Sequence, residues 1–269
     1  MGTMILLGAA CSSVTTPVLK HETGETLGQG KAKGGIRVET GRMVPIFPST
    51  MGLAGIEQTA SVFTGQIVAI QGAVGIINKL DLGVGSFMSL GGGGWRVYTK
   101  FQALGAPAMG SKSGNFSVAA LAGFGRYSSS GSVTYQTSNA GKTEPTTSKQ
   151  TSGIKTAVAE TSQLELGPGE VQQILSASCF EFSAPVSYRL FDRVALYSGI
   201  HLYYIMVSGA ANLVGLSDSV FDYGSNFGIK AYLGRFEVSA ESAMINATDP
   251  FLGTSRFLPY FGVATAFLF

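Results

Sequence analysis

The chain has 269 residues, of which 45% are hydrophobic and only 13% charged, and its formal net charge is +2. Soluble domains carry about 25% charged residues, and the absence of any basic run excludes nucleic acid as a partner. No uninterrupted apolar run of about 18 residues is present, which excludes a membrane-spanning helix. Glycine is abundant at 37 residues, which favours bending strands over helices.

The N-terminal stretch is short and apolar, and it ends in small residues before Cys11, as is typical of an export signal. Leu7-Gly8-Ala9-Ala10-Cys11 also resembles the processing box of bacterial lipoproteins, a resemblance that implies lipidation of Cys11. Gly8 departs from the leucine usual in that box, and a plain signal peptide with an incidental cysteine is the alternative. Residues 12 to 32 are polar and predict a flexible tether, so residues 1–32 form one region and residues 33–269 another.

From residue 33 onward, short segments alternate between apolar and small or polar side chains, which predicts β-strands. Two-residue turns are predicted at Asn78-Lys79, Phe191-Asp192 and Gly234-Arg235, and longer connections at 44–64, 129–169, 208–220 and 248–257. Cys179 falls within a strand and is predicted to be a small buried residue. The predicted strands cover residues 34–43, 65–76, 80–90, 95–104, 115–128, 170–190, 194–207, 221–233, 236–247 and 258–269.

The last strand alternates strictly and places Phe261, Val263, Phe267 and Phe269 on one face. It resembles the terminal strand by which bacterial outer-membrane β-barrels are recognised for assembly, with Phe269 at the position of the terminal aromatic residue. The resemblance implies an all-β, closed antiparallel transmembrane barrel of a Gram-negative-type bacterium. Its partners would be outer-membrane lipid and the barrel assembly machinery.

The count of segments predicts ten strands, with eight or twelve as alternatives and a soluble barrel or sandwich as the competing fold. Short turns on the periplasmic side would place both chain termini in the periplasm and the 129–169 loop outside the cell, where it could bind an extracellular ligand. Five aromatic residues near strand ends are candidates for the interfacial girdles. They are Trp95, Tyr203, Tyr204, Tyr223 and Tyr260.

Charged residues inside the strands fall opposite the apolar faces and are predicted to line a narrow lumen, because a charge facing lipid is costly. They should pair across strands. A polar plug that fixes the barrel shape, a small gated solute pore, and a binding or catalytic cluster are the three interpretations. The predicted lumen network consists of Arg37, Glu39, Arg96, Lys100, Glu181, Lys230, Glu237 and Glu241.

Enzymatic signals are sparse. His21 lies in the predicted tether, and His201 lies within a strand on the lumen side, where a hydrolase would need a serine and an acid within hydrogen-bond reach. The paired aspartates of the ten-stranded omptin proteases are not found. No histidine, cysteine and carboxylate spacing predicts a metal site, and no cofactor is implied. The sequence therefore predicts a non-enzymatic structural or surface-interaction barrel, with a pore and a hydrolase centred on His201 as alternatives.

Overall fold

The computed structural model describes residues 13–45, 62–89, 92–135, 169–211, 214–250 and 253–269. Eleven strands and one 3-10 turn (Ala108–Gly110) make up its regular structure, and within these residues no helix is long and apolar enough to cross a bilayer. The strands are β1 (Ser13–Thr16), β2 (Ala32–Pro45), β3 (Phe63–Ile77), β4 (Leu80–Ser89), β5 (Gly92–Leu104), β6 (Phe116–Tyr135), β7 (Gly169–Phe191), β8 (Val194–Ala211), β9 (Val214–Leu233), β10 (Phe236–Thr248) and β11 (Ser255–Leu268).

Strands β2 to β11 form a closed ring of ten antiparallel strands. Each pairs with its neighbour in sequence, and β2 closes the ring by pairing with both β3 and β11. Closure leaves no unpaired strand edge in the ring, which a bilayer requires because an unpaired backbone group in hydrocarbon costs several kcal/mol. The predicted ten-stranded antiparallel barrel is confirmed.

The barrel has an inverted distribution of polarity. Along β4, for example, Asp81 is 1% exposed whereas Val84 is 57% and Met88 is 73% exposed. Every other side chain points outward because successive strand residues face opposite sides. Charged groups therefore fill the interior and large apolar groups cover the outside, an arrangement suited to surrounding hydrocarbon rather than water.

The two ends of the barrel differ. One end carries the tight turns at 78–79, 192–193 and 234–235, the 105–115 connection, and Phe269; we call it the turn end. At the other, the loop end, β2, β4, β6, β8 and β10 end and β3, β5, β7, β9 and β11 begin. The 136–168 stretch, which is most of the predicted 129–169 outer loop, lies outside the described residues.

Several sequence predictions are corrected. The 208–220 connection is wrong, because β8 continues to Ala211 and β9 begins at Val214. Two of the five girdle candidates face the lumen instead: Tyr203 is 3% and Tyr260 0% exposed. Trp95, Tyr204 and Tyr223 do lie on the outer face. Cys179 is free and buried, as predicted.

The largest difference concerns the predicted tether. Residues 15–28 are buried inside the barrel, and we call them the lumen segment. At its start, β1 pairs antiparallel with the last residues of β2, Ser13 opposite Pro45, at the loop end. Beyond it, the chain turns at the turn end, where Ala32 and Phe269 exchange backbone hydrogen bonds. Ser13 and Phe269 thus lie at opposite ends of the barrel, whereas the sequence predicted both termini on one side; Cys11 lies outside the described residues.

Candidate functional site

The lumen is the part of the molecule where charged groups concentrate. Among the described residues, eight basic and nine acidic side chains are buried there, counting those of the lumen segment. We call the inward-facing side chains of the barrel its wall, and basic and acidic residues are distributed unevenly around it. Strands β2 to β5 contribute mainly bases, Lys33, Arg37, Arg42, Arg96 and Lys100, against Glu39 and Asp81. The wall from β7 to the end of β10 contributes mainly acids, Glu181, Asp222, Glu237, Glu241 and Asp249, against Arg189 and Lys230.

Glu22 of the lumen segment is held by the basic side of the wall. Lys33 Nζ donates to Glu22 Oε1 and Lys100 Nζ to Glu22 Oε2, each at 2.7 Å, and the Tyr98 hydroxyl donates to Oε1 at 3.1 Å. Lys100 Nζ also lies 3.5 Å from Asp81 Oδ2. Charge-assisted hydrogen bonds of this kind are about twice as strong as neutral ones, so one carboxylate ties the segment to both β2 and β5.

Glu25 forms the second attachment, near the turn end. Arg189 donates from Nε at 3.2 Å and from its terminal nitrogen at 2.7 Å, one bond to each carboxylate oxygen. The Ser111 hydroxyl, the Asn115 amide and the Tyr232 hydroxyl donate at 2.6, 2.9 and 3.0 Å. The two-pronged arginine contact fixes direction as well as distance, so Glu25 connects the segment to β7, β9 and the 105–115 connection.

Lys20 and the preceding residues reach the acidic side and the loop end. The Lys20 ammonium forms an ion pair with Glu181, and the Tyr203 hydroxyl donates to the Val18 carbonyl at 2.6 Å. At the loop end, the Ser89 and Thr15 hydroxyl oxygens lie 3.0 Å apart. Glu22 and Lys20 thus meet opposite sides of the polarised wall.

Much of this binding is to the main chain of the segment. The Glu241 carboxylate accepts from the backbone N–H groups of Lys20 (3.2 Å) and His21 (2.6 Å), and Lys230 Nζ donates to the His21 carbonyl at 3.0 Å. Arg37 also donates to the Leu19 carbonyl. The N–H groups of Gly24, Thr26 and Leu27 donate to side-chain oxygens of the wall, which belong to Ser187, Gln102 and Asp81 respectively. Because an extended chain has no internal partners for these groups, the wall satisfies them.

Gly24 is a point at which the backbone of the lumen segment passes very close to the wall. A Cβ at this position would lie 2.4 Å from the Ser117 carbonyl oxygen. Only glycine lets the backbone approach this closely. Gly24 lies between the two glutamate attachments, so the close approach and the ion pairs together fix the position of the segment along the barrel.

All eight residues of the predicted lumen network face the interior and are at most 4% exposed. A direct ion pair across neighbouring strands joins Lys230 to Glu237 at 3.3 Å. Arg96 of β5 lies 3.7 Å from Glu181 of β7, and within β2 Arg37 lies 3.3 Å from Glu39. Most of the other contacts pass through the lumen segment, which the sequence analysis did not place there. Phe261, Val263, Phe267 and Phe269 lie on the outer face of β11, with Phe267 packed against Phe236 and Phe269 at 4.9 Å between ring centroids.

Several wall residues that were not predicted from the sequence share the pattern of the predicted ones. Asp81, Arg189 and Asp222 occupy the inward positions of their strands, so extending the alternation to every strand end would have found them. Lys33 faces the same side of β2 as Arg37, so it also fits the inward pattern. Lys20, His21, Glu22 and Glu25 carried no such signal, because a polar segment that complements a polar lumen has the composition of a linker.

His201 is buried in the lumen, 1% exposed, with its ring stacked on Tyr203 at 6.2 Å. Ser183 is its cross-strand neighbour, but within the described residues neither ring nitrogen nor the Ser183 hydroxyl has a hydrogen-bond partner. No described carboxylate orients the ring, as a nucleophile–base couple requires. In the same part of the chain, no group of three His, Cys, Asp or Glu side chains is placed to hold a metal ion.

No family model matches the chain, and no curated protein matches it. Among solved structures it is similar to the translocator domain of the autotransporter NalP from Neisseria meningitidis, at 9% identity and a TM-score of 0.45, with 89% of this chain and 88% of that one covered. It is also similar to Ail, the attachment invasion locus protein of Yersinia pestis, at 6% identity and a TM-score of 0.34, covering 90% and 99% of the two chains. A third similar structure is Neisserial surface protein A, at 9% identity and a TM-score of 0.37, with 89% of this chain and 96% of that one covered. We assign no function from similarities at this level.

Proposed function

We propose that the protein is an outer-membrane β-barrel that is closed by its own N-terminal segment and acts as a structural or surface-interaction protein without enzymatic activity. The observation that carries the proposal is the occupied lumen. Every side chain larger than glycine from Val18 to Leu27 is at most 4% exposed, and ion pairs tie the segment to opposite sides of the wall.

The membrane location is supported by the outer surface of the ring. Ile36, Ile70, Met88, Ile200 and Phe227, spread over five strands, are each more than half exposed on that surface. A soluble protein seldom exposes a continuous apolar band of this kind. A ring closed without a free edge, with charges confined to the interior, meets the two requirements for a strand protein in hydrocarbon.

An open solute pore has less support than a closed barrel. Passage of a solute would require the lumen segment to leave, and departure would strip partners from Lys33, Lys100, Arg189 and Glu181. A hydrolase centred on His201 has less support still, because the ring has no hydrogen-bond partner among the described residues.

Conductance in planar bilayers tests the closed barrel. We expect the unaltered protein to be silent at high protein concentration, and the double variant Glu22→Gln/Glu25→Gln to show intermittent single-channel openings because both charged attachments of the segment are weakened. Sustained openings of the unaltered protein would contradict the proposal.

A reversible lock provides the control. Thr15→Cys and Ser89→Cys, placed where the two native hydroxyl oxygens lie 3.0 Å apart, should form a disulfide that holds the segment in the double variant. The native Cys11 and Cys179 are replaced by Ser and Ala for this purpose. Oxidation should suppress the openings and reduction restore them; openings that are indifferent to the lock arise from somewhere other than movement of the segment.

A further inference from the structure

The lumen segment runs the whole length of the barrel in one direction. At the loop end, Thr15 contacts Ser89 at the close of β4, and β1 pairs with the final residues of β2. At the turn end, the Thr26 hydroxyl donates to the Asn78 carbonyl at 2.7 Å, and the Leu27 N–H lies 3.0 Å from both Asp81 carboxylate oxygens. The chain therefore passes from the loop end to the turn end through the lumen before it enters β2.

The wall is built to hold an extended chain that lies lengthwise in the lumen. Seven wall residues form hydrogen bonds with backbone atoms of the segment: Tyr203, Arg37, Glu241, Lys230, Ser187, Gln102 and Asp81. These contacts are distributed from Val18 to Leu27. The direction of the segment is thus fixed along its full path and does not depend on one attachment.

We propose that the barrel threads the N-terminal part of its own chain through the lumen and presents the residues ahead of Ser13 on the membrane face opposite Phe269. Combined with the proposed outer-membrane location and a periplasmic turn end, on which this inference rests for its absolute direction, that face is the cell surface. The barrel then displays the part of the chain ahead of Ser13 to the exterior.

Disulfide pairing tests the direction of threading in the assembled protein, with Cys11 and Cys179 again replaced by Ser and Ala. Thr15→Cys with Ser89→Cys should give an intramolecular disulfide, seen as faster migration on a non-reducing gel that reduction abolishes. Thr15→Cys with Asn78→Cys is the matched control at the opposite end and should give none. Pairing with Asn78, or no pairing with Ser89, would overturn the inference.

Epitope accessibility in cells tests the face of display. The same short epitope is placed ahead of Ser13, beside Gly253 at the loop end, and in the 234–235 turn, in three separate variants. We expect antibody to reach the first two on intact cells and the third only after the outer membrane is broken. If the epitope beside Gly253 is reached on intact cells but the one ahead of Ser13 is hidden together with the one at 234–235, threading is overturned.

These outcomes separate threading from the proposed location. If the epitopes ahead of Ser13 and beside Gly253 are both hidden on intact cells while the 234–235 epitope is reached, threading holds and the proposed orientation is wrong. If all three are hidden until the outer membrane is broken, the proposed location fails, and the disulfide pairs decide threading on their own.

Discussion

The two halves of the lumen differ in how completely their polar groups are matched. Toward the turn end, Glu22, Glu25 and the basic groups that contact them all have hydrogen-bond partners. Toward the loop end, and within the described residues, many buried polar atoms have none: the Thr16 and Tyr260 hydroxyls, both Glu39 carboxylate oxygens, and all three side-chain nitrogens of Arg96. The turn half has the features of a firm attachment, whereas the loop half is imperfectly complementary.

This difference indicates where the lumen segment is held firmly and where it would detach first. A buried polar group without a partner costs about 1–3 kcal/mol relative to its solvated state, so the loop half adds less to stability for the same number of charges. Movement of the segment should therefore begin near Thr15 and Thr16 and stop at the Glu22 and Glu25 attachments.

Of the substitutions that test this difference between the halves, Glu22→Gln is expected to lower the free energy of unfolding most. Removing the charge leaves Lys33 and Lys100 facing a neutral amide in the interior, and we expect the free energy of unfolding to fall by about 3–5 kcal/mol. Denaturant unfolding in detergent, followed by the fluorescence of Trp95, the single tryptophan of the chain, measures it. Glu39→Gln makes the same chemical change at a carboxylate that accepts no hydrogen bond and has one Arg or Lys partner, Arg37 at 3.3 Å, instead of two at 2.7 Å. It should therefore give a smaller loss; equal losses would erase the distinction between the halves.

Gly24→Ala is expected to have an intermediate effect. The added methyl would lie 2.4 Å from the Ser117 carbonyl oxygen, and overpacking of this kind typically costs about 1–3 kcal/mol. The same unfolding measurement applies, with Gly30→Ala as a control for the glycine change, since a Cβ there meets nothing within 4 Å although its φ of +71° adds local strain. A stability of Gly24→Ala equal to that of the unaltered protein would show that the passage is wider than the structure has it.

Thr16→Val is expected to have the smallest effect. The Thr16 hydroxyl has no described partner although the residue is 2% exposed. Because no bond is lost and an unmatched polar group is removed, we expect the free energy of unfolding to change by less than about 1 kcal/mol, in the stabilising direction if at all. A loss larger than this would mean that the hydroxyl has a partner and that the loop half is better matched than described.

The sequence predicted the barrel well because the membrane imposes a simple alternating pattern on each strand. Outward residues such as Val84 and Phe261 must be apolar, whereas inward residues such as Asp81 and Glu241 need not be. The alternation of side chains along each strand is therefore enough to predict the fold. The errors at Tyr203 and Tyr260 have a physical cause. Tyrosine suits the interface, but it also suits a lumen in which its hydroxyl finds a partner, as Tyr203 does at the Val18 carbonyl.

The candidate site was only half predictable for a different reason. The wall charges could be assigned from parity, but their partners are supplied by a segment with no periodicity, and nothing in Lys20-His21-Glu22 distinguishes a solvated tether from a buried one. Complementarity with Lys33, Lys100 and Glu181 exists only once the ring has closed around the segment. It is a property of the three-dimensional arrangement and not of either sequence stretch alone.

The position of the lumen segment has a consequence for the order in which the protein can assemble. The Lys20 N–H and its acceptor Glu241 are 221 residues apart in the chain, and the pairing of β2 with β11 joins residues from its two ends. Such long-range contacts slow folding because the loop-closure entropy is lost before the contacts are gained. We expect the segment to be enclosed before the seam between β2 and β11 is sealed, with the later strands assembling around it. We therefore expect insertion into the membrane and filling of the lumen to be a single cooperative event.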